Sequence, residues 1–190
     1  LGFETVGLAA RVRWNAAPDA PAQPRTHMVL RVKAEGREWL ADVGFGGCVL
    51  TAPLAWEPEA AQATDHDTYR LTPIGEELRL EVEREAGWIP AYDISPVPCV
   101  PRDYEMANWF TSTHPSSHFR VNLMVGRTTA QARYGLLQNR FTVRPLGGEP
   151  TRELLDADGM ERVLAEVFGL PVEPVWRPVI ERIAAAATAA

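Results

Sequence analysis

Pro24-Arg25-Thr26-His27, followed fifteen residues later by Asp42-Val43-Gly44-Phe45-Gly46-Gly47, decides how the rest of the chain is read. Between them lie two short runs, Met28-Val29-Leu30-Arg31-Val32 and Glu38-Trp39-Leu40-Ala41-Asp42, apolar or alternating as strands are. Ala34-Glu35-Gly36 separates them with the chemistry of a hairpin turn. An antiparallel hairpin of this length sets the start of its first strand beside the end of its second. His27 and Asp42 are therefore expected as neighbours, with the carboxylate on one imidazole nitrogen. Such a bond fixes the tautomer and stabilises imidazolium. A histidine beside an aspartate is equally the pattern of a satisfied polar pair. The glycines at 44, 46 and 47 add a backbone free to adopt positive φ or to approach a ligand closely.

Outward from the hairpin, Glu4 to Trp14 reads as a strand, and Asn15 to Gln23, rich in Ala, Pro and Asp, as a loop. Glu57 to Asp67 is a polar connection of little periodicity. Tyr69–Thr72, Leu78–Glu83 and Trp88–Ile94 read as three short strands; Leu78, Leu80 and Val82 alternate with Arg79, Glu81 and Glu83, the mark of one wet face. Several short strands with turns between them predict a small antiparallel barrel or sandwich. Ser95 to Pro101 is punctuated by proline and is expected to be irregular in part. Asp103 to Phe110 predicts a short helix that closes before Pro115. Strands follow at Val121–Val125, Ala132–Leu137 and Arg140–Arg144, with a turn at Gln138-Asn139. Met160, Val163, Leu164, Val167 and Phe168 have helical spacing, with Asp156 or Asp158 as cap and Gly169-Leu170-Pro171 as stop. Val179 to Ala190 predicts a last helix that frays at its Ala-rich end.

The 190 residues suffice for one large domain or two small ones, and bury roughly 70% of the extended surface for this size class. The net charge of −6, with no basic run, argues against nucleic acid as partner. No apolar stretch approaches the roughly 20 residues of a membrane-spanning helix. The two cysteines, Cys48 and Cys99, have neither metal-ligand spacing nor a disulfide framework, which suits a reducing, cytoplasmic setting. His66, His114 and His118 form no ligand set with His27, so no metal site is expected. Leu1 at the start leads to the expectation that further sequence precedes this record.

Arg25-Thr26-His27, Asp42-Val43-Gly44-Phe45-Gly46, Pro53-Leu54 and the long string from Asp103 to Pro115 (D-Y-E-M-A-N-W-F-T-S-T-H-P) occur in this order. Together they resemble the arylamine N-acetyltransferase family, and the resemblance runs from Leu1 to about Gly169. It implies an α+β protein: a small antiparallel β-barrel followed by an α/β lid, cysteine-proteinase-like when complete. Residues 1–100 would be the barrel domain, 101–115 the interdomain helix and 116–190 the lid. Missing is the family's R-G-G-x-C motif, which carries the nucleophilic cysteine on an N-terminal helical domain. The chain thus resembles the second and third domains, with that helical domain as an expected partner.

The resemblance implies that His27 is the base and Asp42 its orienting carboxylate. It also implies a ping-pong transfer of acetyl from acetyl-CoA to arylamines, hydrazines or N-hydroxyarylamines, without a metal. Phe45, Gly47 and Val49 match positions that line the acceptor pocket in relatives. Trp14, Thr26, Gly44, Gly46, Phe119 and Met124 match positions around coenzyme A, in a cleft between barrel and C-terminal domain. Trp14, Met124 and Phe45 are equally compatible with core packing. Cys48 reads as a small buried hydrophobe rather than a substitute nucleophile. Two alternatives stand beside this reading: a non-catalytic fragment that binds coenzyme A, and a relative that transfers another acyl group or makes amides. A chain deprived of the helical domain is also expected to expose apolar surface and to be poorly soluble or partner-bound.

Overall fold

The structure, a computed structural model, describes residues 2–17 and 20–187. The chain divides into two compact units, Leu1–Arg120 and Val121–Ala190. The fold is α+β.

In the first unit eight antiparallel strands form one curled sheet: β1 (Glu4–Val12), β2 (His27–Ala34), β3 (Arg37–Ala41), β4 (Leu54–Ala55), β5 (Gln62–Ala63), β6 (Thr68–Ile74), β7 (Glu77–Arg84) and β8 (Gly87–Pro98), in the spatial order β4-β3-β2-β1-β8-β7-β6-β5. Glu35 and Gly36, both at positive φ, turn β2 into β3, as a two-residue hairpin turn requires. Alternation along the strands sends Leu8, Ala10, Val29, Leu40, Tyr69, Leu71, Leu80, Val82, Tyr92 and Ile94 inward as one core.

The two ends of the sheet meet through a side chain. The Gln62 carboxamide accepts from Ala55 N–H at 2.6 Å and donates to Ala55 C=O at 2.9 Å. It acts as a peptide unit would in a ladder, so the nearly closed barrel is sealed where β4 and β5 are too short to pair. Thr51 Oγ1 donates to Thr64 Oγ1 across the same seam, at 3.0 Å. These two-residue strands lie in the stretch that the sequence pattern left as loop.

β8 runs through Pro98, beyond the expected end at Ile94, despite Pro90, Pro96 and Pro98. The register between β1 and β8 shifts between Leu8 and Ala10, and such an irregularity accommodates residues that lack an N–H. Helix α1 (Pro101–Thr113) is longer than the expected 103–110. Pro101 opens it and Asp103 Oδ2 accepts from Val100 N–H at 2.9 Å, so both devices of a helix start are present. It rests on β1 at Gly7, where an added Cβ would lie 2.3 Å from the Tyr104 hydroxyl oxygen. Helix α2 (His118–Val121) follows.

The second unit is a four-stranded antiparallel sheet, β9 (Met124–Thr128), β10 (Ala132–Leu137), β11 (Arg140–Pro145) and β12 (Thr151–Leu154), ordered β12-β11-β10-β9. The strand expected at Val121–Val125 begins only at Met124, because Val121 closes α2. Helix α3 (Ala157–Arg162) is capped by Asp156, whose Oδ1 accepts from Gly159 N–H at 2.8 Å. A π-helical turn, Val163–Val167, continues it to Gly169, which sits at positive φ. Helix α4 (Arg177–Ala187) packs Ile180 into the same core as Leu136, Met160 and Leu164. The fraying end expected at 188–190 lies outside the described residues.

Candidate active site at the barrel end

The hairpin register builds the site. Pairing Leu30 with Ala41 puts His27, the first residue of β2, opposite Gly44 and diagonal to Asp42. His27 Nε2 lies 2.7 Å from Asp42 Oδ2. The same oxygen accepts from the Tyr92 hydroxyl at 2.7 Å, and Asp42 Oδ1 accepts from Gly44 N–H at 2.8 Å. Three donors thus hold a carboxylate that is buried at 5% exposure. An isolated buried carboxylate would neutralise itself. Burial does push Asp42 upward, but the hydrogen bond and charge of His27, with Gly44 N–H and Tyr92, outweigh it and hold the group below its ordinary value.

Tyr92 was not singled out from the sequence. It sits on β8, fifty residues from Asp42, and only the closed sheet brings them together. The available signal was an inward-facing tyrosine in an alternating strand, since a buried phenol needs a hydrogen-bond partner. Burial, then the charge and hydrogen bond of Asp42, raise its hydroxyl well above the usual tyrosine value. It therefore remains a proton donor to Asp42 in any ordinary solution.

With Nε2 committed to Asp42, the neutral imidazole carries its proton there and keeps a lone pair on Nδ1. That nitrogen is the one able to accept a proton from another group. The ring is clamped by Phe45 and Tyr92, with centroids at 5.1 and 4.9 Å, and Trp14 meets Phe45 edge-on at 6.4 Å. The loop after Asp42 is open on its outer side. A Cβ added to Gly46 or Gly47 would meet nothing within 4 Å, and Gly46 has φ +62°. Val49 closes the 3₁₀ turn Gly46–Cys48 with its N–H on Gly46 C=O at 3.1 Å.

Of the residues expected around the ligands, Phe45, Gly44, Gly46, Gly47 and Val49 share this loop. Trp14 packs against its aromatic, and Thr26 immediately precedes His27. Phe119 is exposed on α2, and Met124 is exposed at the start of β9 in the other unit. Cys48 is buried beneath the loop, and Cys99 ends β8's approach to α1 with its N–H on Gly7 C=O at 3.2 Å. Among the described residues no group of three or more His, Cys, Asp or Glu could hold a metal ion, and no helix is long and apolar enough to cross a membrane.

A barrel of this topology with a locked His–Asp pair at its end matches known proteins throughout its length. The family model described as N-acetyltransferase matches residues 1–176. An arylamine N-acetyltransferase of Mycolicibacterium smegmatis is 41% identical over 149 residues, 77% of this chain and 54% of that one. The Salmonella typhimurium protein named arylamine N-acetyltransferase / N-hydroxyarylamine O-acetyltransferase is 33% identical over 192 residues, 100% of this chain and 68% of its own. The structure of the Mycobacterium marinum arylamine N-acetyltransferase in complex with CoA superposes with a TM-score of 0.89 at 36% identity, covering 97% of this chain and 69% of that one. The chain belongs to the arylamine N-acetyltransferase family. It spans about half to two thirds of the length of the curated relatives it matches.

Proposed function

We propose that this chain supplies the base and the orienting carboxylate of an acetyl-CoA-dependent arylamine N-acetyltransferase that works in the cytoplasm. In this reading residues 1–100 are the barrel domain, 101–115 the linking helix and 116–190 the third domain. A helical domain, as the family pattern implies, brings a cysteine to Nδ1 of His27. The observation that carries the reading is the 2.7 Å bond from His27 Nε2 to a carboxylate with three donors, which leaves Nδ1 as the working nitrogen.

The thiol gives its proton to Nδ1, and thiolate beside imidazolium is the attacking species. It adds to the thioester carbonyl of acetyl-CoA; coenzyme A leaves as thiolate and takes the proton from imidazolium. The acceptor amine then attacks the acetyl-cysteine. Its nitrogen loses a proton to Nδ1, and the cysteine leaves and recovers that proton. Asp42 stays ionised throughout and holds the ring in place. Phe45, Gly47 and Val49 would form the wall for a flat amine, a role suited to an aromatic and small residues. Trp14, Thr26, Gly44, Gly46, Phe119 and Met124 would contact coenzyme A. The relative solved with CoA supports that donor.

The second reading, a coenzyme-A-binding fragment without catalysis, is favoured by one observation: the two cysteines in these 190 residues are a buried Cys48 and a Cys99 outside the hairpin. Intact mass of the purified protein before and after acetyl-CoA separates them. A mass above 21.0 kDa that rises by one acetyl group establishes the enzyme reading. A mass of 21.0 kDa unchanged by acetyl-CoA establishes the fragment. A panel of longer acyl-CoA donors, read the same way, tests the choice of acetyl.

A further inference from the structure

Three glycines make the loop Gly44–Val49 intrinsically loose, because each loses more backbone freedom on ordering than any other residue. Gly44 N–H ties its start to Asp42, Phe45 packs on His27 and Tyr92, and Val49 N–H closes its end on Gly46 C=O. Something outside the loop must fix where Phe45, Gly47 and Val49 stand. Tyr69, from β6, does so. Its ring is fully buried in the barrel, and its hydroxyl donates to Cys48 C=O at 2.9 Å while lying 3.4 Å from Val49 C=O.

The hydroxyl also faces Asp67 Oδ2 at 3.2 Å, so one proton has three oxygens to choose from. Arg84 Nη1 donates to Asp67 Oδ1 at 2.7 Å and draws off that carboxylate's charge. Of the three contacts, that to Cys48 C=O is the shortest. Tyr69 itself is set by the pairing of β6 with β7, where it stands opposite Val82. Asp42 takes one bond from this loop, through Gly44 N–H, and one from Tyr92 on β8.

We propose that Tyr69 is a positioning residue for the acceptor wall: its hydroxyl, through Cys48 C=O, holds the Phe45–Val49 loop in register beside His27. The proposal rests on the reading of Phe45, Gly47 and Val49 as that wall. It concerns the geometry of the wall.

The test compares the whole protein with its Tyr69→Phe variant, which keeps the buried ring and removes one oxygen. Amide hydrogen exchange and the binding of aniline by calorimetry are measured on both. Exchange at the Val49 amide is expected to rise about threefold to tenfold, one neutral hydrogen bond's worth. Amides of the β2–β3 and β6–β7 ladders are expected to stay at wild-type values, and aniline to bind several times more weakly. Val49 exchange that is unchanged, or that rises only in step with all ladder amides, overturns the proposal. Looser Val49 exchange in a protein whose wild type does not bind aniline keeps the positioning role and overturns the acceptor wall. Should Tyr69→Phe fold poorly, Asp67→Asn decides: it removes a competing charge and keeps the Tyr69–Cys48 bond. Faster Val49 exchange in that variant contradicts the proposal.

Discussion

Two buried carboxylates of the barrel invite comparison. Asp42, at the barrel end, and Asp93, on the outer face of β8, are almost equally hidden, at 5% and 6% exposure. Asp93 is gripped by Arg79 through Nε at 2.6 Å and Nη2 at 3.0 Å, with Arg13 at 3.7 Å. Its partners never release a proton, and Arg79 is held even more firmly protonated by this contact. Asp42 has instead a histidine, a phenol and a backbone amide. Burial and pairing are common to both. What differs is the partner: at Asp42 it is an imidazole, a group able to give and take a proton.

The largest expected effect falls on Asp42. Asp42→Asn keeps the shape but supplies an amide where His27 needs an acceptor, so acetyl transfer, read as kcat/KM for the amine, should fall about a thousandfold or more. Retention of activity within tenfold would erase the distinction between the two carboxylates. Asp93→Ala should do the reverse: unfolding by urea is expected to show a loss of about 3 kcal/mol, since two guanidinium groups lose their anion, while kcat/KM for the amine stays within a few fold of wild type. A fall in kcat/KM as large as that of Asp42→Asn would mean that the outer ladder and the site are one network.

Next in size is the acid limb. The Asp42 carboxyl lies below its ordinary value of 3.8, so the stability it contributes is complete above that value and is lost as pH falls through the lower, folded one. The urea midpoint of wild type should therefore drop on acidification below pH 4 more steeply than that of Asp42→Asn; parallel limbs would count against a depressed carboxyl. The smallest effect belongs to the seam. Gln62→Ala strips two partners from Ala55 and should cost about 1 kcal/mol, with faster exchange at the Ala55 amide and none at Leu30.

How much of this was legible beforehand followed the range of the interactions. The hairpin was, because Glu35-Gly36 and the alternating runs act within a few residues, and its length alone placed His27 by Asp42. The Asp156 cap and the Gly169 stop are local for the same reason. Tyr92 and Tyr69 were not, since their partners lie fifty and twenty-one residues away and depend on how the sheet closes. The two-residue strands β4 and β5 left no periodicity to read. Val121 looked like a strand residue by composition and was taken by α2. The roles assigned to Phe119 and Met124 came from resemblance, with no local signal in either residue.

The seam at Gln62 gives the barrel a chemical age. Most of the sheet is joined by peptide groups, which outlast the protein in neutral water. Here the joint is a primary amide, open to slow hydrolysis. Conversion to glutamate would replace the donor that meets Ala55 C=O with an anionic oxygen, and two oxygens would then face each other where a hydrogen bond had been. A glutamate at this position would thus add one negative charge, keep the bond from Ala55 N–H and lose the one to Ala55 C=O.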